Sequence, residues 1–507
     1  MSSTKNIAKN SLFLYLRMFL NMGVGLFTAG IVLNTLGVTD FGIYNIVGGF
    51  VSMFGFLNSS MAASTQRFLS FDLGKNDFVR LKQTFSTTVT IHLIIAAIIV
   101  IALETFGLWY INNRLNVPAD RMTAVNIIFQ FSVLSSFFGI IQVPYNALIT
   151  AHEKFNVYAY ISLLEIIFKL LILYFLLNIN HDKLILYSIL LFASSFIIRM
   201  IYRIYCRKNF LESHYYFYFD KFFFKEILSF TGWNTFGTIS AVARGQGNNL
   251  LLNAFFGPAL NAAYGVSMQF QSIISSFVSN FQVAVNPQII KTYANREFDK
   301  SIFLMKESAK LSYFLMLIMS VPMIYNINYI LEIWIKKVPL YTNTFICISL
   351  VGVLLDTLSN PLMTGARASG KMKWYQIIIS ITIFVSLPLS YLVLKIYKNP
   401  NLIFVIISAL NFLALIFRIF FLRVMINLNV KDFFQDVIFK VSYCTLFVIL
   451  ANYLIYYFYG TANTILTLIG FGSINILSTV IIVILFGISG RERRFILNYF
   501  NFKFKKK

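Results

Sequence analysis

Charge is the first thing this sequence is short of. Only 12% of its 507 residues are Asp, Glu, Lys or Arg, about half the share usual in soluble domains. So few charges cannot coat a water-soluble surface. Acidic residues are scarcest, 19 against 42 Lys and Arg, which leaves little material for carboxylate catalysis. Cysteine is limited to Cys206, Cys347 and Cys444, far apart in apolar surroundings and without pairing or metal spacing. His92, His152, His181 and His214 are scattered. With no HExxH or CxxC motif, metal chemistry has no support and no cofactor is expected. A Walker-type phosphate loop is also missing, which removes an ATP-driven pump built on this chain. The longest polar stretch, about 206–225, is too short to fold as a catalytic unit.

What is present is apolar. Hydrophobic residues make up 58% of the chain, 55 of them phenylalanine, and the mean hydropathy is +0.74. About fourteen segments are long and apolar enough to cross a hydrocarbon core of ~30 Å. They run 11–36, 42–63, 84–111, 124–149, 156–177, 184–205, 227–256, 259–285, 309–327, 342–363, 374–396, 402–425, 437–459 and 462–486. In lipid every backbone amide must bond within its own segment, so these are helices, and the long runs exclude the short alternating strands of a barrel. The first run exceeds a signal-peptide core and lacks a small-residue cleavage site, so it counts as the first membrane helix.

Lysine and arginine concentrate in alternate connections: Arg67 to Lys82, Arg203 to Lys225, Lys291 to Lys306, Arg367 to Lys373 and the tail from Arg491 to Lys507. The positive-inside rule then places both termini in the cytoplasm, which requires an even number of helices. The same distribution explains the net charge of +23. Spread over short loops, these charges do not form a nucleic-acid surface, and nucleic acid is excluded as a partner.

The chain also repeats itself. LNTLGVTDFGIYNI around Asn34 matches LNAFFGPALNAAYGV around Asn253, with Tyr44 against Tyr264 at an offset of 220. Asp77-Phe78 faces Glu297-Phe298 in the following loop. Pro144, Ala151, Lys154 and Tyr158 match Pro361, Ala368, Lys371 and Tyr375 at 217, and Arg199 matches Arg418 at 219. An offset spanning six helices returns the second copy in the same direction, giving two parallel six-helix lobes, an arrangement used by transporters. The expected organisation is an all-α polytopic membrane protein: an N-lobe over 1–210, a cytoplasmic linker over 211–226, a C-lobe over 227–430, and over 431–507 a final helix pair with a basic tail.

Polar residues gather on a few segments. Segment 227–256 carries Thr231, Asn234, Thr235, Thr238, Ser240, Arg244, Asn248 and Asn249, segment 259–285 carries Gln269, Gln271 and Gln282, and segment 42–63 carries Asn45, Asn58, Ser59 and Ser60. Small polar residues often only join helices, at about 0.6 kcal/mol per bond, and many of these serines and threonines fit that role. The Asn and Gln clusters fit a hydrated interior between the lobes better.

Arg17 and Arg244 fall within membrane segments, and Ser240, Arg244 and Asn248 share one helical face. A central arginine costs about 2.5–3.5 kcal/mol to insert, so Arg244 should face protein or water. Arg17 is near enough to an end that snorkelling to the interface is the competing reading. Two guanidinium groups facing a hydrated cavity suit phosphate. The candidate substrate-binding residues are therefore Arg17, Arg244, Asn248, Asn45, Asn58 and Gln269, and Asp356 is the acidic residue considered for ion coupling. Glu165 and Lys169, four apart, are expected to pair. Pro144, Pro322, Pro361 and Pro388 are expected to bend their helices.

The blocks RMFLNMGVGLFTAGIVLNTLGVTDFGIYNIVGGF, PYNALITAHEKFNVYAYISLLEIIFKL and RGQGNNLLLNAFFGPALNAAYGVSMQFQ resemble the polysaccharide-export (O-antigen flippase, Wzx-like) branch of the multidrug/oligosaccharidyl-lipid/polysaccharide exporter superfamily. The resemblance implies flipping of undecaprenyl-diphosphate-linked oligosaccharide across a bacterial inner membrane by alternating access. Membrane lipids and the polysaccharide polymerase machinery are the further partners it implies. In related lipid II flippases arginines of the first and seventh helices line the cavity, which extends that role to Arg17 and Arg244. A cation-coupled multidrug exporter of the same superfamily is the competing function. Such exporters generally have twelve helices and an acidic residue in the first, and segment 11–36 has none. A membrane polymerase or glycosyltransferase would need catalytic carboxylates or a long outer loop, and the outer connections are short.

Overall fold

The computed structural model describes residues 55–113, 118–179, 182–335 and 338–488, with scattered positions between 11 and 51. The described residues form helices and no strand. The principal helices are α1 (Gly55–Gly74), α2 (Phe78–Ala102), α3 (Met122–Ala151), α4 (Asn156–Asn178), α5 (Lys183–Asn209), α6 (Lys221–Phe256) and α7 (Pro258–Ala294). They continue with α8 (Phe298–Tyr325), α9 (Thr342–Ser369), α10 (Lys373–Phe384), α11 (Ser386–Tyr397), α12 (Asn401–Ile426), α13 (Lys440–Tyr459) and α14 (Ile465–Ile482). Among the described residues ten helical stretches are long and apolar enough to cross a membrane. Helices α6 and α7, of 36 and 37 residues, are long enough but carry too many polar side chains to be among the ten.

Two compact units result, one of Met1–Ile239 with Ile290–Glu297 and the other of Ser240–Ile289 with Phe298–Lys507. The division falls within α6, past the expected linker at 211–226, because the first half of α6 is bonded to α1. Ser64 Oγ lies 2.7 Å from Thr231 Oγ1 and Ser60 Oγ 2.9 Å from Thr235 Oγ1. These hydroxyls join helices, as small polar residues commonly do in membranes.

The repeat is visible in backbone geometry. At the end of α1, Asn76 takes a left-handed φ of 55°, its N–H donates to Leu73 O, and the Asp77 N–H donates to Asp72 O. After α7, at the same offset of 220, Arg296 has φ 62°, donating to Tyr293 O while Glu297 donates to Thr292 O. Both are Schellman closures. Glu153 (φ 59°) and Gly370 (φ 79°) form a second left-handed pair at the offset of 217. Gly74 is required where α1 meets 290–297, since a Cβ there would lie 2.7 Å from the Lys291 carbonyl oxygen.

The second unit is built around α9, which packs along α12 and α8. Pro361 lacks the N–H that would bond the Thr357 carbonyl. Gln282 of α7 fills the gap, donating Nε2 to Thr357 O at 3.2 Å while its Oε1 accepts from Asn360. Thr364 donates to Asn286 one turn on. The break between α10 and α11 falls just before Pro388, whose missing N–H leaves the Phe384 carbonyl without its helical donor. Helices α13 and α14 are polar inside and apolar outside. Ile465, Leu466, Leu477 and Tyr457 are exposed, while buried Asn452 donates to Thr479 and accepts from Ser478. Such an inverted distribution suits lipid as the surrounding solvent.

Candidate functional site

Each unit contains a polar pocket. In the first, a cavity of about 380 Å³ is walled by Ser132, Ser135, Ser136 and Gly139 of α3, by Ser188, Phe192, Ser195 and Arg199 of α5, and by Tyr44, Val51 and Asn58. The α3 residues recur at helical spacing and so present one face. Tyr44 stands edge-on to Tyr187 at 5.1 Å between ring centres, holding segment 42–63 against α5. No Asp or Glu lines this pocket among the described residues. Arg199 Nη1 and Asn58 Oδ1 are buried without a hydrogen-bond partner among the described residues.

In the second unit a smaller cavity, about 90 Å³, is enclosed by Arg244 of α6, Tyr264 and Gln271 of α7, Ser349, Gly352 and Asp356 of α9, and Asn411 of α12. Its charged groups are joined through Asn411, while the Ser408 hydroxyl, which also lines it, is buried without a partner among the described residues. Arg244 Nη1 donates to Asn411 Oδ1 at 2.7 Å, and Asn411 Nδ2 donates to Asp356 Oδ2 at 3.2 Å. Tyr264 donates to Gly245 O. Arg418 stands close enough to Asp356 to act on it electrostatically, and its Nε donates to Tyr375 Oη at 3.2 Å.

The residues singled out in the sequence fall in different places. Arg244 and Asp356 share the second pocket, and Asn58 lines the first. Asn248, one turn beyond Arg244, is fully buried with neither amide atom partnered among the described residues. Gln269 is on an exposed face of α7, and its near neighbour Gln271 reaches the pocket instead. Asn45 lies outside the described residues. Arg17 is packed inside the first unit, with its guanidinium carbon 5.0 Å from the centre of the Tyr158 ring. Glu165 and Lys169 form no ion pair among the described residues. Glu165 shares the surroundings of Arg17 and Tyr202, and four-residue spacing permits a pair without enforcing one.

Sequence reasoning did not single out Arg199, Asn411 or the α3 serines for binding. Arg199 was legible only as the repeat partner of Arg418, Asn411 sits in the mostly Ile, Leu, Phe and Val run 402–425, and the serines are of the small polar type that commonly only joins helices.

The chain matches the MatE family model over residues 14–175 and again over 226–392. No curated protein matches it in sequence. Among solved structures, a mutant of a MATE transporter is similar at a TM-score of 0.72 and 13% identity, covering 85% of this chain and 97% of that one. A MOP-superfamily transporter from Pyrococcus furiosus, described as having a binding pocket of reverse polarity that suggests a different function, is similar at 0.69 and 13%, over 85% and 96%. A multidrug resistance MATE transporter in an outward-facing conformation is similar at 0.67 and 13%, over 84% and 96%.

Proposed function

Since the chain belongs to the MatE family of MOP-superfamily membrane transporters, we propose that it flips an anionic lipid-linked oligosaccharide, of the polyprenyl-diphosphate class, outward across a bacterial inner membrane. The observation that carries this reading is the balance of charge inside the units. Among the described residues, Arg199 and Arg244 line the two pockets and Arg418 adjoins the second, against one pocket carboxylate, Asp356. A carboxylate would favour an organic cation, but Asp356 is already bonded by Asn411, with Arg244 and Arg418 near enough to act on it. A diphosphate suits guanidinium groups, which bond oxyanions bidentately. Serine hydroxyls and carboxamides can both donate to and accept from the hydroxyl groups of sugars.

The driving field has the right sign. An inside-negative potential favours outward movement of an anionic headgroup by ~2.3 kcal/mol per charge per 100 mV. In proteoliposomes, protein-dependent flipping of a diphosphate-linked but not a neutral-headed polyprenyl oligosaccharide, accelerated by the potential, is expected. Arg244→Ala should abolish it, and Arg244→Lys should retain part of it. Full activity in both variants would remove Arg244 from the headgroup clamp.

The second reading, a cation-coupled multidrug exporter, draws support from the multidrug resistance transporter among the similar folds and from Asp356, a carboxylate in the second pocket. Export of an organic cation on an ion gradient, with neither lipid moved, would select it. Asp356→Asn would then be the informative variant.

A further inference from the structure

The two pockets occupy the same place in the repeat. At the offset of 217, Ser132, Ser135, Ser136 and Gly139 of α3 fall on Ser349, Gly352, Val353 and Asp356 of α9, and all eight line their pockets. Tyr44 and Tyr264 correspond at 220 and also line both. Shared ancestry of position therefore isolates what has changed. Asp356 has no counterpart: its place in the first unit is taken by Gly139.

The consequence for charge is direct. In the second unit Asp356, Asn411 and Arg244 satisfy one another, and Arg418 bonds the Tyr375 hydroxyl. In the first unit the repeat partner of Tyr375 is Tyr158, whose hydroxyl donates to the Asn146 carbonyl and whose ring faces Arg17. Arg199, the partner of Arg418, bonds neither a tyrosine nor a carboxylate among the described residues and keeps Nη1 buried and unpartnered. A guanidinium nitrogen buried without a counter-charge, as Nη1 is among the described residues, is costly unless something else supplies one. The pocket around it is also roomier, about 380 Å³ against 90 Å³.

We infer that the first-unit pocket is a binding site for a phosphate-type oxyanion, with Arg199 as its anchor and Asn58 and the α3 and α5 serines as neutral polar neighbours. In the second-unit pocket, at the same place in the repeat, Arg244 is already bonded through Asn411 to Asp356, which makes that pocket the weaker oxyanion site of the two. This deepens the anionic-substrate reading by adding Arg199 and the first pocket to the groups that hold the headgroup. The site stands on its own geometry, so a free oxyanion and a lipid diphosphate are both admissible occupants.

The test uses the full chain in detergent, titrated with inorganic pyrophosphate, with sulfate as comparison, and in nanodiscs with a polyprenyl diphosphate. Arg199→Gln removes the anchor. Gly139→Asp installs the missing carboxylate beside it, since a Cβ at Gly139 would lie 3.4 Å from Arg199 Nη2. Both should weaken pyrophosphate binding about ten- to hundred-fold, the worth of a charge-assisted hydrogen bond. A measurement free of folding losses at the arginine is alkylation of a Ser195→Cys variant, which pyrophosphate should slow.

Unchanged pyrophosphate affinity in Arg199→Gln and Gly139→Asp, or alkylation indifferent to pyrophosphate, overturns the site. Its failure is separable from that of the flippase reading. A diphosphate lipid that flips normally in Arg199→Gln removes the site and leaves the flippase. Arg199-dependent binding of pyrophosphate without any lipid movement keeps the site and removes the flippase. In that case the occupant is a soluble anion.

Discussion

Asn411 shows how one side chain sets the character of a pocket. Its carboxamide accepts from Arg244 on one side and donates to Asp356 on the other, so a cation and an anion are joined without direct contact. Leucine at this position would fill similar volume but leave both charged groups short of a partner. Asn411→Leu is expected to lower stability by about 1–3 kcal/mol, the cost of unsatisfied buried polar groups. Thermal unfolding in detergent measures it, and an unchanged midpoint would show the relay to be idle.

A second residue-scale contact sits outside the membrane segments. His152 Nε2 lies 2.5 Å from Glu212 Oε1, and Phe210 stacks on the same imidazole at 4.2 Å. Burial alone would raise the Glu212 carboxyl, but the His152 hydrogen bond, with help from backbone N–H, outweighs it and holds the group below its ordinary 4.5. A depressed carboxylate contributes stability above its unfolded value, and the contribution is lost as pH falls through the lower folded value. Protection of the 210–220 amides, taken as exchange relative to the intrinsic rate at each pH, should therefore fall as the pH drops below the ordinary carboxylate value of 4.5 in the wild type. In Glu212→Gln that protection should already be low at pH 7 and change little with pH.

At the scale of elements, proline and its neighbours determine where helices bend. Pro361 leaves the Thr357 carbonyl open, and Gln282 is the group that satisfies it. Gln282→Ala should cost about 1–3 kcal/mol by orphaning that carbonyl. In a Pro361→Ala background residue 361 regains its N–H, and the same Gln282 substitution should cost clearly less. Thermal unfolding of the four variants of this cycle checks the coupling, and additive losses would mean that the carbonyl was never the point of contact. The expectation of bends at Pro144, Pro322, Pro361 and Pro388 has its clearest expression at Pro388, where α10 ends and α11 begins. At Pro144, Pro322 and Pro361 the helix continues through the proline.

For the molecule as a whole, duplication is the organising fact, carried by two family matches and by paired left-handed turns. A parallel repeat returns corresponding loops to the same side of the membrane. Lys75→Cys and Asn295→Cys, exposed positions at the offset of 220, should both react with a membrane-impermeant maleimide in inverted vesicles only. Reaction from opposite sides would overturn the parallel arrangement and, with it, the cytoplasmic placement of both termini.

By itself the sequence determined the solvent and the secondary structure. Runs such as 402–425 and 465–482 have no stable state in water, and in lipid a backbone must close its hydrogen bonds locally. The repeat was legible for the same reason: Pro144 and Pro361, or Tyr44 and Tyr264, occupy positions that packing constrains in each copy. What only the tertiary structure decided is which polar residue faces what. Thr231 and Asn248 look alike along α6, yet one is bonded to α1 and the other is buried with its amide unpartnered among the described residues. Arg17 and Arg199 are both arginines in apolar runs, yet one lies over a tyrosine ring and the other borders a cavity. Periodicity assigns a residue to a face of its own helix. What covers that face depends on neighbours distant in sequence, and those distances are set by packing.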